Sequence, residues 1–203
     1  MIAARQIAFG KAAGKRLPLP YDAEVEYLES TGTQWIDTGV LVDSNNFVMT
    51  ASFSKKASEV VPVAFGAMNT VSGYPGVLIN LMGGFRYGNQ QIAASTDTSV
   101  NTMHTYALSY RSLTIDGATY AATGDVVDTP LEYSLYLFGR NSRGIWGNGA
   151  SIKFASFVVQ ESGVLVRDFI PVRKGNVGYM YDCVSGALFG NQGTGEFIVG
   201  ADV

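Results

Sequence analysis

The first residues in this chain whose type and spacing suggest chemistry are Glu24, Glu26 and Glu29, in the run EVEYLE. Two carboxylates held about 5 Å apart can cleave a glycosidic bond, one as nucleophile and the other as acid and then base. On an extended strand residues 24 and 26 share a face, and residue 29 points to the opposite one unless a bulge intervenes. The spacing therefore favours a first strand packed through Val25, Tyr27 and Leu28 over a catalytic pair. The single histidine, His104, is the next candidate. A nucleophilic site needs a Ser or Cys beside the imidazole in the fold, and the sequence nominates none. His104 is expected to serve a structural role at the start of a strand. One histidine also excludes a His-rich metal site.

Two glycine-rich stretches have the composition of sugar-binding loops. Residues 139–150, GRNSRGIWGNGA, bring together Arg140, Asn141, Arg143, Trp146 and Asn148. An indole can stack on the apolar face of a pyranose while amides and guanidinium groups bind its hydroxyls. Tyr74, Arg86, Tyr87, Asn89 and Gln90, around MGGFRYGNQQ, form a second cluster of this kind. The alternative is that Trp146 packs under its own loop and Tyr87 is simply a strand residue. The stretch GNQGTG (190–195) lacks the following Lys and the helix that a phosphate loop needs, so it reads as a turn. No D-x-D-x-D-G calcium loop occurs, and no cofactor is expected. A structural calcium held by carboxylates dispersed over several loops is left open.

These residues must be positioned by strands. Among 203 residues there are 24 glycines, 47% hydrophobic residues and only 15% charged ones. That is enough apolar material for a large core and suits short strands joined by tight turns. A chain of this length fits a single sandwich domain. Phe47, Met49, Ala51 and Phe53 alternate with polar or smaller residues, which predicts a half-buried strand. Residues 61–67, 76–81, 104–110, 133–139 and 151–160 also read as strands. Residues 112–122, SLTIDGATYAA, form the clearest hairpin, because Asp116-Gly117 has the composition of a type I′ turn. Residues 166–181 read as a strand, a break at Pro171, and a second strand. The whole adds up to roughly a dozen or more strands at about 8–12-residue spacing with no long helix, an all-β sandwich or barrel.

The single cysteine, Cys183, rules out an intrachain disulfide and reads as a buried or half-buried small apolar residue. No apolar run approaches the ~20 residues of a transmembrane helix. Residues 1–21 carry four bases and no acid before Asp22, whereas the rest carries ten bases and seventeen acids. This predicts a basic tail or anchor over residues 1–20, stiffened at Pro18 and Pro20, on an acidic sandwich over residues 21–203. The net charge of −3 argues against nucleic acid as a partner. The first sixteen residues lack the apolar segment of a signal peptide.

The run EYLESTGTQWIDTGV resembles the opening of laminin-G-like, concanavalin-A-like sandwich domains found in phage structural proteins and in surface proteins of gut bacteria. HTYALSY followed by LTIDG (104–117), YLFGRN (136–141), IKFASFVVQESGVLVRDFIPVRK (152–174) and GYMYDCVSGALFGNQGTGEF (178–197) are similar to further segments of that family, in the same order. The resemblance covers residues 24–198. It implies a two-sheet antiparallel jelly roll and a non-catalytic module, often carbohydrate-binding or purely structural.

With the absence of a signal peptide, this leads to the expectation of a non-enzymatic virion protein: a fibre, tail or head-decoration component. Residues 1–20 would dock to other virion proteins, the sandwich would face a host-surface glycan, and the assembly would be a homo-oligomer without nucleic-acid or membrane contacts. The alternatives are a bacterial surface or secreted adhesin, or a carbohydrate-binding module outside a virus. A glycoside hydrolase of the same fold is the third reading.

Overall fold

The computed structural model describes residues 18–56, 63–70, 76–80, 84–88, 90–93, 99–122 and 130–203. The expected N-terminal tail lies almost wholly outside these residues. Within them the chain forms nineteen strands and no helix, arranged as a two-sheet sandwich whose strands pair antiparallel except Arg140–Ser142, which runs parallel to Val63–Met68. The first sheet runs in the order Ala118–Ala121, Ser112–Ile115, His104–Ser109, Phe47–Lys55, Ile152–Glu161, Val164–Lys174, Val177–Asp182, Ala187–Phe189. The second runs in the order Ile145–Gly147, Arg140–Ser142, Val63–Met68, Gly76–Asn80, Gly84–Gly88, Gln90–Ala93.

Burial follows from alternation. In Phe47–Lys55 the residues Phe47, Met49, Ala51 and Phe53 face the core, and Val48, Thr50 and Ser52 face outward. Aromatic residues join the layers: Phe65 of the second sheet lies 5.0 Å from Phe157 of the first, and Phe138 lies 5.1 Å from Phe154, centroid to centroid. The outward hydroxyls pair across strands, as in Ser52 with Thr105 (3.0 Å) and Thr114 with Thr119 (3.0 Å). The Asp116-Gly117 turn has the expected conformation, with φ of 47° and 90°.

The opening and closing segments meet. Leu28–Glu29 inserts between Ile152–Glu161 and Ile198–Val199, pairing with both. Val25 bridges Asp202, and the Glu26 amide donates to the Ala201 carbonyl at 2.9 Å. The intervening STGTQ turn is closed by side chains: Gln34 Oε1 accepts from the Thr31 amide at 2.8 Å, and Ser30 Oγ accepts from the Gly32 amide at 2.9 Å. The C-terminal GNQGTG turn then lies against it. A side chain on Gly193 would collide with the Thr33 carbonyl, while Asn191 Oδ1 accepts from the Trp35 amide at 3.2 Å.

Two sequence expectations are corrected. Residues 133–139 do not form one long strand; only Tyr136–Leu137 does, because Phe138 takes a positive φ of 62° and turns the chain. Nor does Pro171 break its strand, since Val164–Lys174 is continuous. Proline is tolerated where no ladder partner needs its missing N–H. The Pro171 carbonyl accepts from the Val25 amide at 3.0 Å, so its nitrogen faces the short N-terminal segment and not the Val177–Asp182 ladder.

Asp182 fixes the last hairpin. Its side chain is fully buried, and its two oxygens accept from the amides of Asp168 (2.9 Å), Val184 (3.1 Å) and Ser185 (3.2 Å). Replacing it would leave the buried Asp168 amide and the half-buried Val184 and Ser185 amides without their acceptor, at about 1–3 kcal/mol for a buried donor and less for the others. Asp182→Ala is expected to lower unfolding stability by about 3 kcal/mol in urea titration. A loss below about 0.5 kcal/mol would show that the turn holds without the carboxylate.

Candidate functional site

The three glutamates do not converge. Glu24 and Glu26 are exposed, whereas Glu29 is buried. Glu29 accepts from Lys56, just past the strand Phe47–Lys55, and lies 3.7 Å from Lys153 Nζ of the adjoining strand, so two cations neutralise it. The Lys153 ammonium also sits 4.2 Å from the Tyr27 ring centroid. Its pKa is raised by the bond to Tyr27 and further by Glu29. A carboxylate committed in this way is a structural device.

The residues of the 139–150 stretch are distributed along a hairpin. Arg140–Ser142 pairs antiparallel with Ile145–Gly147, with Arg143 and Gly144 at the turn. Arg143 sits beside Met68, at one end of Val63–Met68, and Asn148 sits beside Val63, at the other. Asn141 is buried: its amide nitrogen donates to the Ser134 carbonyl at 3.0 Å, and its oxygen accepts from the Gly144 amide at 2.7 Å. Asn141 therefore shapes the turn. Trp146, directly opposite Asn141, is half-buried with its indole lying over the backbone at Gly139 and Gly149, where any side chain would strike it. The packed-loop alternative describes its position. Tyr87 is also buried, and its hydroxyl donates to the Ser44 carbonyl at 2.9 Å. Tyr74 and Asn89 lie outside the described residues.

Register explains why Asn141 and Tyr87 point inward. Asn141 pairs with Ala67, Ala67 with Val77, and Val77 with Tyr87, so all four share the core face of the second sheet. The next row points outward. Arg140 precedes Asn141, Gly66 precedes Ala67, and Gly66 pairs with Leu78, which pairs with Arg86. The two stretches singled out in the sequence thus share an outward row of this sheet, with Gly66 and Leu78 standing between Arg140 and Arg86. Leu78 packs with Val63 and Met68 in a small buried apolar cluster separate from the main core. Arg140 Nη1 lies 3.1 Å from the Met68 sulfur. Burial pushes the Arg140 pKa down, and the nearby Arg86 charge pushes it the same way. Both guanidinium-bearing residues are half-buried on this face, and their planar N–H forks are suited to paired contacts with carboxylate or sulfate oxygens.

A second polar row was not legible in the sequence. Ser99 Oγ lies 3.1 Å from His104 Nε2, and His104 Nδ1 lies 2.5 Å from Asp116 Oδ2. Asp116 Oδ1 accepts from the Thr105 amide at 2.9 Å. Ser99 precedes His104 by five residues across a loop, and Asp116 follows by twelve across a hairpin, so no linear motif announces the set. Among the described residues no group of three His, Cys, Asp or Glu side chains could hold a metal ion.

The chain matches no family model and no curated protein. The two-sheet sandwich is therefore established by the strand pairing itself.

The bond to His104, followed by the one from the Thr105 amide, holds the Asp116 carboxyl below its ordinary value of 3.8. A group with a depressed folded pKa stabilises the fold above its unfolded pKa, and that contribution is lost as pH falls through the folded value. The wild type is expected to exceed Asp116→Asn in stability by a constant margin at neutral and mildly acidic pH. The margin should shrink once pH drops below about 3.8. Denaturant unfolding of both proteins across that range checks this; a margin independent of pH would remove the ionic part of the interaction.

Proposed function

We propose that this chain is a surface-binding sandwich of the laminin-G-like and concanavalin-A-like kind, carried on a virion as a fibre, tail or head-decoration component. The outer face of the second sheet binds a host-surface glycan, and residues 1–20 dock the module to the particle. The observation that carries the binding reading is that Arg140 and Arg86, one from each stretch, share an outward cross-strand row of the second sheet. Guanidinium groups bind carboxylates and sulfates with paired N–H donors. The pair therefore favours acidic sugars over neutral ones. The basic tail on an acidic body supports docking, and the sequence resemblance over residues 24–198 supports the module type. The same face would serve a bacterial surface adhesin equally well.

A glycan array carrying neutral, uronic-acid and sulfated sugars tests the binding. The expected result is selective retention on the acidic sugars, weakened by salt. Arg86→Ala should lower affinity about tenfold, the loss of one hydrogen-bonded charge contact of ~1.5 kcal/mol. Binding that is indifferent to Arg86→Ala, or confined to neutral sugars, would move the site elsewhere. The docking role is tested by removing residues 1–20 and measuring incorporation into particles. Incorporation is expected to fall sharply, and unchanged incorporation would refute the docking role.

A further inference from the structure

The glycan reading leaves the Ser99–His104–Asp116 row unused, yet its geometry is that of an activated nucleophile. With a carboxylate oxygen 2.5 Å from Nδ1, the His104 proton belongs on that nitrogen. The Nε2 lone pair then points at the Ser99 hydroxyl, 3.1 Å away. Each member is held from behind. Asp116 sits in the tight turn with Gly117, and its second oxygen is bonded to the Thr105 amide. The His104 ring meets Tyr106 edge-on at 6.4 Å and is half-buried, which limits its rotation. The Ser99 loop is pinned by the Asn101 amide, which donates to the Lys55 carbonyl at 2.8 Å; Asn101 itself takes a positive φ of 59°. Ser99 is exposed to solvent at the end of the first sheet. Val100 and Met103 flank the row, each 42% exposed, and offer an apolar surface beside a hydroxyl that a reactant can reach.

We propose that Ser99, His104 and Asp116 form a hydrolytic triad that cleaves small carboxylic esters, with Ser99 as nucleophile. Ser99 Oγ attacks the ester carbonyl carbon while its proton passes to His104 Nε2. The bond from that carbon to the alcohol oxygen then breaks, and the alcohol leaves with the proton from Nε2. Water attacks the resulting Ser99 ester, again giving its proton to Nε2. The carboxylic acid departs as Ser99 regains its proton. Asp116 stays ionised throughout and stabilises the imidazolium that forms twice in each cycle. The site lies open at a sheet end and the Asp116 side chain is 50% exposed, so solvent screens that stabilisation. An ester, whose alcohol leaves more readily than an amine, is the substrate class that such a site can handle. Val100 and Met103 suit a short acyl group.

The test is the hydrolysis of p-nitrophenyl acetate by the purified full chain, which does not depend on glycan binding. The expected result is release of p-nitrophenol above the buffer rate, lowered about 100-fold in kcat/KM by Ser99→Ala and by His104→Gln. In parallel, a fluorophosphonate probe should form one covalent adduct, located on Ser99 by mass spectrometry and absent from His104→Gln. Ser99 is exposed, so Ser99→Ala should keep the wild-type unfolding midpoint; if His104→Gln fails to fold, the adduct on wild-type Ser99 still decides. Wild-type hydrolysis equal to that of Ser99→Ala, or a probe that leaves Ser99 unmodified, overturns the proposal.

Discussion

The sandwich depends on a strand of two residues. Leu28–Glu29 is paired on one side with Ile152–Glu161 and on the other with Ile198–Val199, so it joins the opening segment to the last residues of the chain. Closing a loop of more than a hundred residues carries an entropic cost that grows only slowly with length, and many weak contacts formed together can meet it. Leu28 supplies fully buried apolar area, and Glu29 supplies charge. A buried carboxylate is tolerable only when it is paired. Lys56 and Lys153 provide the pairing from outside the segment, so the strand is stable only once its neighbours are in place. The STGTQ turn and the GNQGTG turn extend the same junction through backbone contacts too close for any residue but glycine at position 193.

The fold was legible because burial on one face leaves a period of two in the sequence. The alternation from Phe47 to Phe53, the Asp116-Gly117 turn and the long strands on either side of Ser162-Gly163 all depend on local rules. The exceptions arose where pairing partners decided the outcome. Pro171 looks like a break until its nitrogen is seen to face the short N-terminal segment. Residues 133–139 look like one strand because their composition carries no sign of the positive φ at Phe138.

The candidate sites were less legible, and for one reason. A sequence shows which polar residues are near one another along the chain but not which face they occupy. Asn141 and Arg140 are adjacent, yet the first is an interior brace and the second points away from the core. Arg86 and Arg140 are far apart in sequence and share a row. No linear motif marks His104, and in the fold it lies between Ser99 and Asp116. The sandwich thus separates two surfaces: the outer face of the second sheet, with its arginines, and the end of the first sheet, with its imidazole.

The bridge between Val25 and Asp202, with the Val203 amide donating to the Glu24 carbonyl at 3.1 Å, places the points where the chain enters and leaves the sandwich side by side. This has a mechanical consequence. A load applied across both points would peel the antiparallel contacts apart one hydrogen bond at a time, the direction in which paired strands resist least. A load applied through the entry point and the second sheet would instead act on the aromatic side chains packed between the layers.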